Sequence, residues 1–186
     1  MIKKYLPHCV LLLTALLLAG CATAPKIATP EQIQTLNKQP MQGNTGQYLC
    51  PLTSDGVPTE WIDNAVNAAM GASLGATAGA YAGQKLMENI PFIGGFLGST
   101  AGEALGRQAA ISAAGGEEFM RTNSDLSFDN IDDMIVYVYG VYGANPNYQE
   151  LVSSVSEIYP DYNKRMMAAL SSASKEYYTM HPETNQ

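Results

Sequence analysis

Large hydrophobic residues are unevenly spread along this chain, and their spacing divides it into distinct parts. An apolar run from Val10 to Leu18 lies near the N-terminus, and polar residues then dominate to about residue 56. Ala and Gly dominate from about 59 to 116, after which large apolar residues recur at helical spacing. Because residues three or four apart share one face of a helix, this pattern predicts a mainly α protein behind an N-terminal targeting segment.

The N-terminal segment resembles the signal peptide of a bacterial lipoprotein. Lys3 and Lys4 precede the apolar run, which ends in Leu-Ala-Gly-Cys at 18–21, where small residues let a peptidase close around the cleaved bond. The resemblance implies that residues 1–20 are removed and that Cys21 carries diacylglycerol plus an amide-linked chain such as palmitate. Each buried CH2 contributes about 0.8 kcal/mol, so several chains anchor stably. The alternative is an ordinary secretory signal with a chance cysteine.

Residues 21–56 are predicted to form a lipidated, flexible and largely disordered tether. Prolines are scattered there among Thr, Gln, Asn and Gly, and few large apolar residues occur before Tyr48. Such a segment buries too little surface to offset its chain entropy. We expect at most a marginal short helix from Thr29 to Leu36, with order beginning near Tyr48.

Two rows of glycine at four-residue spacing mark residues 57–116. They fall in a helix predicted from about Thr59, which can cap it, to Met87, and in a second helix that Gly115 and Gly116 close. Glycine costs about 0.8 to 1 kcal/mol per site in a helix, a cost that makes sense if bare backbone faces pack closely. We therefore expect a glycine-zipper helical hairpin over 57–116 rather than a flexible loop or low complexity. Its packing positions are Gly71, Gly75, Gly79, Gly83, Gly94, Gly98, Gly102 and Gly106.

The sequence leaves open whether this hairpin crosses a membrane. No charged residue occurs from 65 to 83, close to the roughly 20 residues that a spanning helix needs. Most of those residues are small, however, and Ser99, Glu103 and Arg107 form a polar stripe on the second helix, where Glu103 and Arg107 can pair. The stripe favours a hairpin with one face in water.

Residues 117–180 are predicted to form a small Tyr-rich helical bundle against the hairpin. The segment 135–139 would equally suit a strand, but capping and acidic residues before it favour a helix. Two further helices are expected at about 146–158 and 160–178, each with a proline near its start, followed by a disordered tail at 181–186. The apolar face of the first helix consists of Ile131, Met134, Ile135, Val138 and Tyr142.

The mature chain is acidic and nearly free of cysteine. Only Lys3 and Lys4 of the 10 basic residues lie in the signal, so 17 acidic residues remain against 8 basic ones, a formal charge of −9. This charge disfavours nucleic acid as a partner and leaves membrane attachment to the acyl chains. Cys9 leaves with the signal, so Cys50 is the only thiol beside Cys21; burial as an inert thiol is favoured over a bridge between chains.

No pattern in the chain predicts catalysis or metal binding. His181 is the only histidine of the mature chain, so no zinc-type ligand set can form. Asp129, Asp132 and Asp133 lack the spacing of an EF-hand and suit a helix N-terminus, and the glycine rows lack the lysine of a phosphate loop. We expect no enzyme activity, no metal and no cofactor apart from lipid on Cys21.

The lipid signal and the glycine rows together resemble the glycine-zipper lipoproteins of Gram-negative outer membranes, a group that includes the rickettsial surface antigen. The match covers residues 18–21 and roughly 68–110. The resemblance implies envelope integrity or assembly with other envelope proteins, and under its sorting rule Ala22 implies the outer membrane.

A lipid-anchored structural or interaction protein is therefore expected, facing the periplasm and binding a protein partner or itself. The alternative is a membrane-active protein whose glycine hairpins form a pore, with Glu103 and Arg107 on its lumen. Tyrosine-rich clefts can bind ligands, which keeps an enzyme as a third hypothesis.

Overall fold

The protein is mainly α-helical, as the hydrophobic spacing predicts. The computed structural model describes residues 26–74 and 100–185. Within these ranges the elements, in chain order, are α1 (Pro30–Gln34), β1 (Met41–Gln42), β2 (Tyr48–Leu49), α2 (Glu60–Leu74), α3 (Thr100–Ala113), α4 (Glu117–Thr122), β3 (Leu126–Phe128), α5 (Ile131–Tyr142), α6 (Tyr148–Ile158), α7 (Asp161–Met180) and a closing 3-10 helix (Pro182–Asn185).

The helical interpretation of the C-terminal third is confirmed. Helix α5 begins where the Asn130 side chain accepts a hydrogen bond from the Asp132 N–H, and it includes the segment that would also have suited a strand. Its predicted apolar face is buried except at Tyr142, which is half-buried. Helices α6 and α7 match the two further predicted helices to within two residues at each end. Helix α7 packs against both α5 and α6, so these three helices are the centre of the fold.

The prediction of a disordered tether is wrong for residues 26–56, which pack into the core. Helix α1, capped by Thr29, lies against α5 and α7, and Ile33 is buried. The Ala28 N–H donates to Ser174 Oγ at 2.9 Å, and the Ala28 carbonyl accepts from the Tyr139 hydroxyl at 3.0 Å. Hydrogen bonds between this backbone and side chains of distant helices thus order a segment that has few large apolar residues.

A small antiparallel sheet, which the sequence did not predict, joins this segment to the C-terminal part. Strand β3 lies in the centre, with β1 and β2 at its edges. The Ser127 hydroxyl accepts from the Gly46 N–H and donates to the Gly43 carbonyl, fixing the turn between the edge strands. A Cβ at Gly46 would lie 2.9 Å from the Phe128 backbone, so only glycine fits there.

Helices occur at both ends of the predicted hairpin, α2 near its start and α3 near its end. The two helices contact each other. The expected side-chain cap of α2 is wrong, because the Thr59 hydroxyl is buried and has no hydrogen-bond partner among the described residues. The middle of the hairpin, residues 75–99, lies outside the described residues. No helix within the described ranges is long and apolar enough to span a bilayer.

The prediction of a disordered tail is also wrong for residues 181–185. The His181 ring stacks on Tyr177 with centroids 4.4 Å apart, and the 3-10 helix follows directly. The Lys26 ammonium lies 3.4 Å from the Thr184 carbonyl oxygen, to which it donates a hydrogen bond. The first and last described segments of the chain therefore meet at the C-terminal end of α7.

Candidate functional site

A cleft lies where α1 and the loop after it face α5. Its volume is about 390 Å³. The turn at 54–56 closes one side, and Tyr137 and Val141 of α5 lie on another. Four carboxamide side chains contribute to the lining: those of Gln34, Asn37, Gln39 and Gln42.

The close approach of α1 to α5 depends on Gly140. A Cβ at this position would lie 3.1 Å from the backbone of Gln34, closer than side chains normally approach. The missing side chain lets the two helices approach without displacing either backbone. Gly140 therefore sets the width of the cleft on the α1 side.

The loop after α1 is held by its own polar contacts. Asn37 has a φ of +52°, a left-handed conformation that asparagine tolerates better than most residues. The Gln39 amide donates to the Asn37 side-chain oxygen, and the Lys38 ammonium lies 3.4 Å from the Glu176 carboxylate of α7. The lysine charge is thus partly offset, and the amides dominate this wall.

Asp125 holds the turn at 54–56 in place through hydrogen bonds. The Ser54 N–H and hydroxyl both donate to one oxygen of this carboxylate, at 3.0 and 2.7 Å. Burial acts to raise the pKa of Asp125, but the hydrogen bonds from Ser54 outweigh it and hold the pKa below its ordinary value. Gly56 has a φ of +76°, and a Cβ there would lie 2.9 Å from a methyl group of Val141. The turn is therefore preorganised at the mouth of the cleft.

Tyr137 lines the cleft and has an uncommitted hydroxyl. Its ring packs against Phe128 with centroids 5.5 Å apart, while the hydroxyl makes no hydrogen bond within the described part of the chain. Burial raises the pKa of Tyr137, with a smaller contribution from the Cys50 thiol and the Asp125 carboxylate. The phenol is therefore neutral near pH 7, and it can both donate and accept a hydrogen bond.

This set of groups suits a polar ligand of low net charge. Carboxamides donate and accept at once, as the peptide backbone does, and the phenol of Tyr137 adds another such group. Strand β1 is an edge strand, and Gln42 within it lines the cleft. A polypeptide in extended conformation matches both features, because an edge strand offers main-chain groups for pairing.

A second, smaller cavity of about 180 Å³ lies between α2, the end of α5 and the start of α6. Its polar lining is acidic, with Asp63 and Glu150 on two different helices. Burial raises the pKa of Tyr142 in this wall, and the two carboxylates raise it further. The cavity contains no basic side chain among its described lining residues and supports no specific ligand.

Cys50 is buried, as the interpretation of this residue as an inert thiol predicts. Its side chain is fully buried, and burial raises the pKa of the thiol to about 12. Since the thiolate is the reactive species, this cysteine is shielded both sterically and chemically. The hydroxyl of Tyr162, also fully buried, has no hydrogen-bond partner among the described residues, and burial raises its pKa well above the ordinary value.

The other residues singled out in the sequence are only partly described. Cys21 and the glycines at 75, 79, 83, 94 and 98 lie outside the described residues. Gly71 lies in α2, and Gly102 and Gly106 lie in α3. A Cβ at Gly106 would meet no described atom within 4 Å, so a packing role there stays a prediction. Arg107 donates from Nε to the Ile158 carbonyl at 2.8 Å, a contact with α6 that the sequence did not suggest.

Sequence reasoning missed the cleft because most of its lining residues fall in the stretch interpreted as a tether. The carboxamides at 34, 37, 39 and 42 are a visible signal in hindsight, since they recur within one short segment. No cluster of His, Cys, Asp and Glu in the described ranges is suited to hold a metal ion. The chain matches no known family model, no curated protein and no solved structure.

Proposed function

We propose that this protein is a lipid-anchored interaction protein of the bacterial envelope, attached to the outer membrane through Cys21 and binding a partner protein through the cleft between α1 and α5. The observation that carries the binding role is the cleft lined by four carboxamide side chains and by Tyr137, whose hydroxyl makes no hydrogen bond within the described ranges. The role is one of binding and assembly rather than catalysis.

Two independent features support this proposal. The sequence at 18–21 supports covalent attachment to lipid, as argued above. The cleft supports recognition of an extended polypeptide, because its amide groups and the edge strand β1 can satisfy main-chain donors and acceptors that would otherwise lose water. Self-association through the same cleft is the special case in which the partner is a second copy.

Lipid attachment is tested by the substitution Cys21→Ser. The wild-type protein should incorporate a radioactive fatty acid and sediment with membranes. The Cys21→Ser protein should remain unlabelled and appear as an uncleaved precursor or as soluble protein. Equal labelling of the two proteins would refute attachment at this residue.

Partner binding is tested by photo-crosslinking in intact cells. A benzoylphenylalanine at Gln42, an exposed residue in the cleft, should give a discrete adduct of higher mass. The matched control carries the same group at Gln149, an exposed glutamine of α6 outside this cleft. An adduct of the same size and yield from both positions, or none from Gln42 in membranes that contain the lipidated protein, would refute binding through the cleft.

A further inference from the structure

We infer that the end of the domain formed by Lys26, Tyr178, Met180 and His181, called here the Lys26 end, lies against the lipid headgroup layer and fixes the orientation of the domain on the membrane. This inference rests on the proposed lipid attachment at Cys21 and goes beyond it, since attachment alone says nothing about orientation.

The first argument is the length of chain between the anchor and the domain. Lys26 is held in place by its hydrogen bond to the Thr184 carbonyl and lies five residues after Cys21. Even a fully extended chain spans at most about 3.6 Å per residue, so the lipidated residue is within about 18 Å of Lys26. A compact domain of this size is roughly 35 Å across. A connection this short cannot reach around the domain, so the Lys26 end cannot face away from the bilayer.

The second argument is the chemistry of this end. The Lys26 ammonium lies 5.0 Å from the centroid of the Tyr178 ring. Met180 is 54% exposed at the last position of α7, and the half-buried His181 follows it. Tyrosine and lysine are the residue types that occupy membrane interfaces, where an apolar body meets lipid and a polar tip meets water.

The charge around this end also fits an interface. Lys26 contributes the positive charge, while Glu183 on the closing 3-10 helix is an exposed acidic neighbour. The rest of the mature chain is strongly acidic, so an anionic bilayer repels most of its other surfaces. Electrostatic repulsion of the other surfaces and the short connection between Cys21 and Lys26 therefore favour the same orientation, with the Lys26 end towards the bilayer.

The test compares two methionines of α7 that are equally exposed. Met167 and Met180 are each 54% exposed, and thirteen helical residues place them about 20 Å apart along the axis. The full chain carrying either Met180→Cys or Met167→Cys is purified in its lipidated form and labelled with a polarity-sensitive fluorophore. It is then reconstituted into vesicles of phosphatidylethanolamine and phosphatidylglycerol that contain a headgroup nitroxide. A protein without an added cysteine controls for labelling of the buried Cys50.

We expect the nitroxide to quench the fluorophore at position 180 several-fold more strongly than at position 167, with a blue-shifted emission at 180 only. Glu183→Cys, on the same end, should behave like Met180→Cys. Equal quenching at 167 and 180, or stronger quenching at 167, would overturn the inference while leaving the proposed function intact. Mass spectrometry of the same samples reports on Cys21, and an unmodified Cys21 would overturn the proposed function and this inference together.

Discussion

The Tyr139 hydroxyl donates a hydrogen bond of 3.0 Å to the carbonyl oxygen of Ala28, which lies 111 residues earlier in the chain. Ala28 is fully buried, and its N–H is taken by Ser174 of α7. Both polar groups of one buried peptide residue are thus satisfied by side chains of two different helices. This arrangement holds the N-terminal segment on the core without a large apolar side chain at that point.

Removing the Tyr139 hydroxyl should therefore destabilise the protein. Tyr139→Phe keeps the ring but leaves the Ala28 carbonyl buried without its partner, which costs about 1 to 3 kcal/mol. Urea unfolding of the mature, lipid-free protein measures the loss. Tyr178→Phe is the matched control, because the Tyr178 hydroxyl makes no hydrogen bond within the described ranges, and its substitution should change the free energy of unfolding little. Equal losses in the two variants would refute the role of the Tyr139–Ala28 bond.

Cys50 should be unreactive in the native protein. Its burial and its pKa of about 12 mean that almost no thiolate is exposed at mildly alkaline pH. Iodoacetamide should modify it only after urea is added, and non-reducing gels of envelope fractions should show monomer. A reducible dimer that disappears in Cys50→Ser would contradict this prediction.

The glycine rows should respond to substitution according to position. Gly79→Leu and Gly98→Leu, in the middle of the two rows, should each lower the melting temperature. Overpacking destabilises by about 1 to 3 kcal/mol, whereas replacing a helical glycine stabilises the helix by only about 1 kcal/mol. Alanine at the same positions should be tolerated better.

Gly106→Ala should instead stabilise the protein by about 0.8 kcal/mol, since a Cβ there meets no described atom. Differential scanning calorimetry of the lipid-free protein measures the melting temperatures of the variants at all three sites. If Gly79→Leu and Gly98→Leu both melt at or above the wild-type temperature, close packing through the glycine rows is refuted.

The Asp132–Arg165 pair should give a pH-dependent contribution to stability. Two hydrogen bonds, of 2.7 and 2.6 Å, join the guanidinium to the two carboxylate oxygens, and together with the Arg165 charge they hold the pKa of Asp132 below its ordinary value. A folded-state pKa below the unfolded value of about 3.9 means that the stabilisation is present at neutral pH and is lost as the pH falls through the folded pKa.

Unfolding free energies of wild type and Asp132→Asn, measured at several pH values, should therefore differ most near neutrality and converge in acid. Both side chains are partly or largely exposed, so added salt should also reduce the difference. A difference that stays constant from neutral to acidic pH would contradict the assignment.

Local sequence patterns predict the helices but not what they pack against. The apolar spacing of Ile131, Met134 and Val138 identifies α5 because each of these residues is buried on the same helical face. By contrast, the order of residues 26–56 depends on partners more than 60 residues away, such as Ser127 for Gly46 and Ser174 for Ala28. Neither contact leaves a periodic signal in the segment itself.

The cleft could not be predicted from the sequence for the same physical reason. Carboxamides at positions such as Gln34 and Gln42 are as common in disordered segments as in binding sites, and only the fold brings them opposite Tyr137. The sequence also gives no sign of the close approach of α1 to α5 at Gly140. A single glycine inside a helix usually indicates nothing more than reduced helix propensity.

The central position of β3 has a consequence for how the chain acquires its structure. Within the described ranges β1 and β2 pair with β3 alone, and α1 packs on α5 and α7. Residues 26–52 therefore meet these partners only after most of the chain is available. Under the export proposed above, a polypeptide that enters a narrow channel N-terminus first cannot close these contacts on the way. The proposed export would then leave the N-terminal segment unfolded until the last helix has emerged, so that folding would follow translocation.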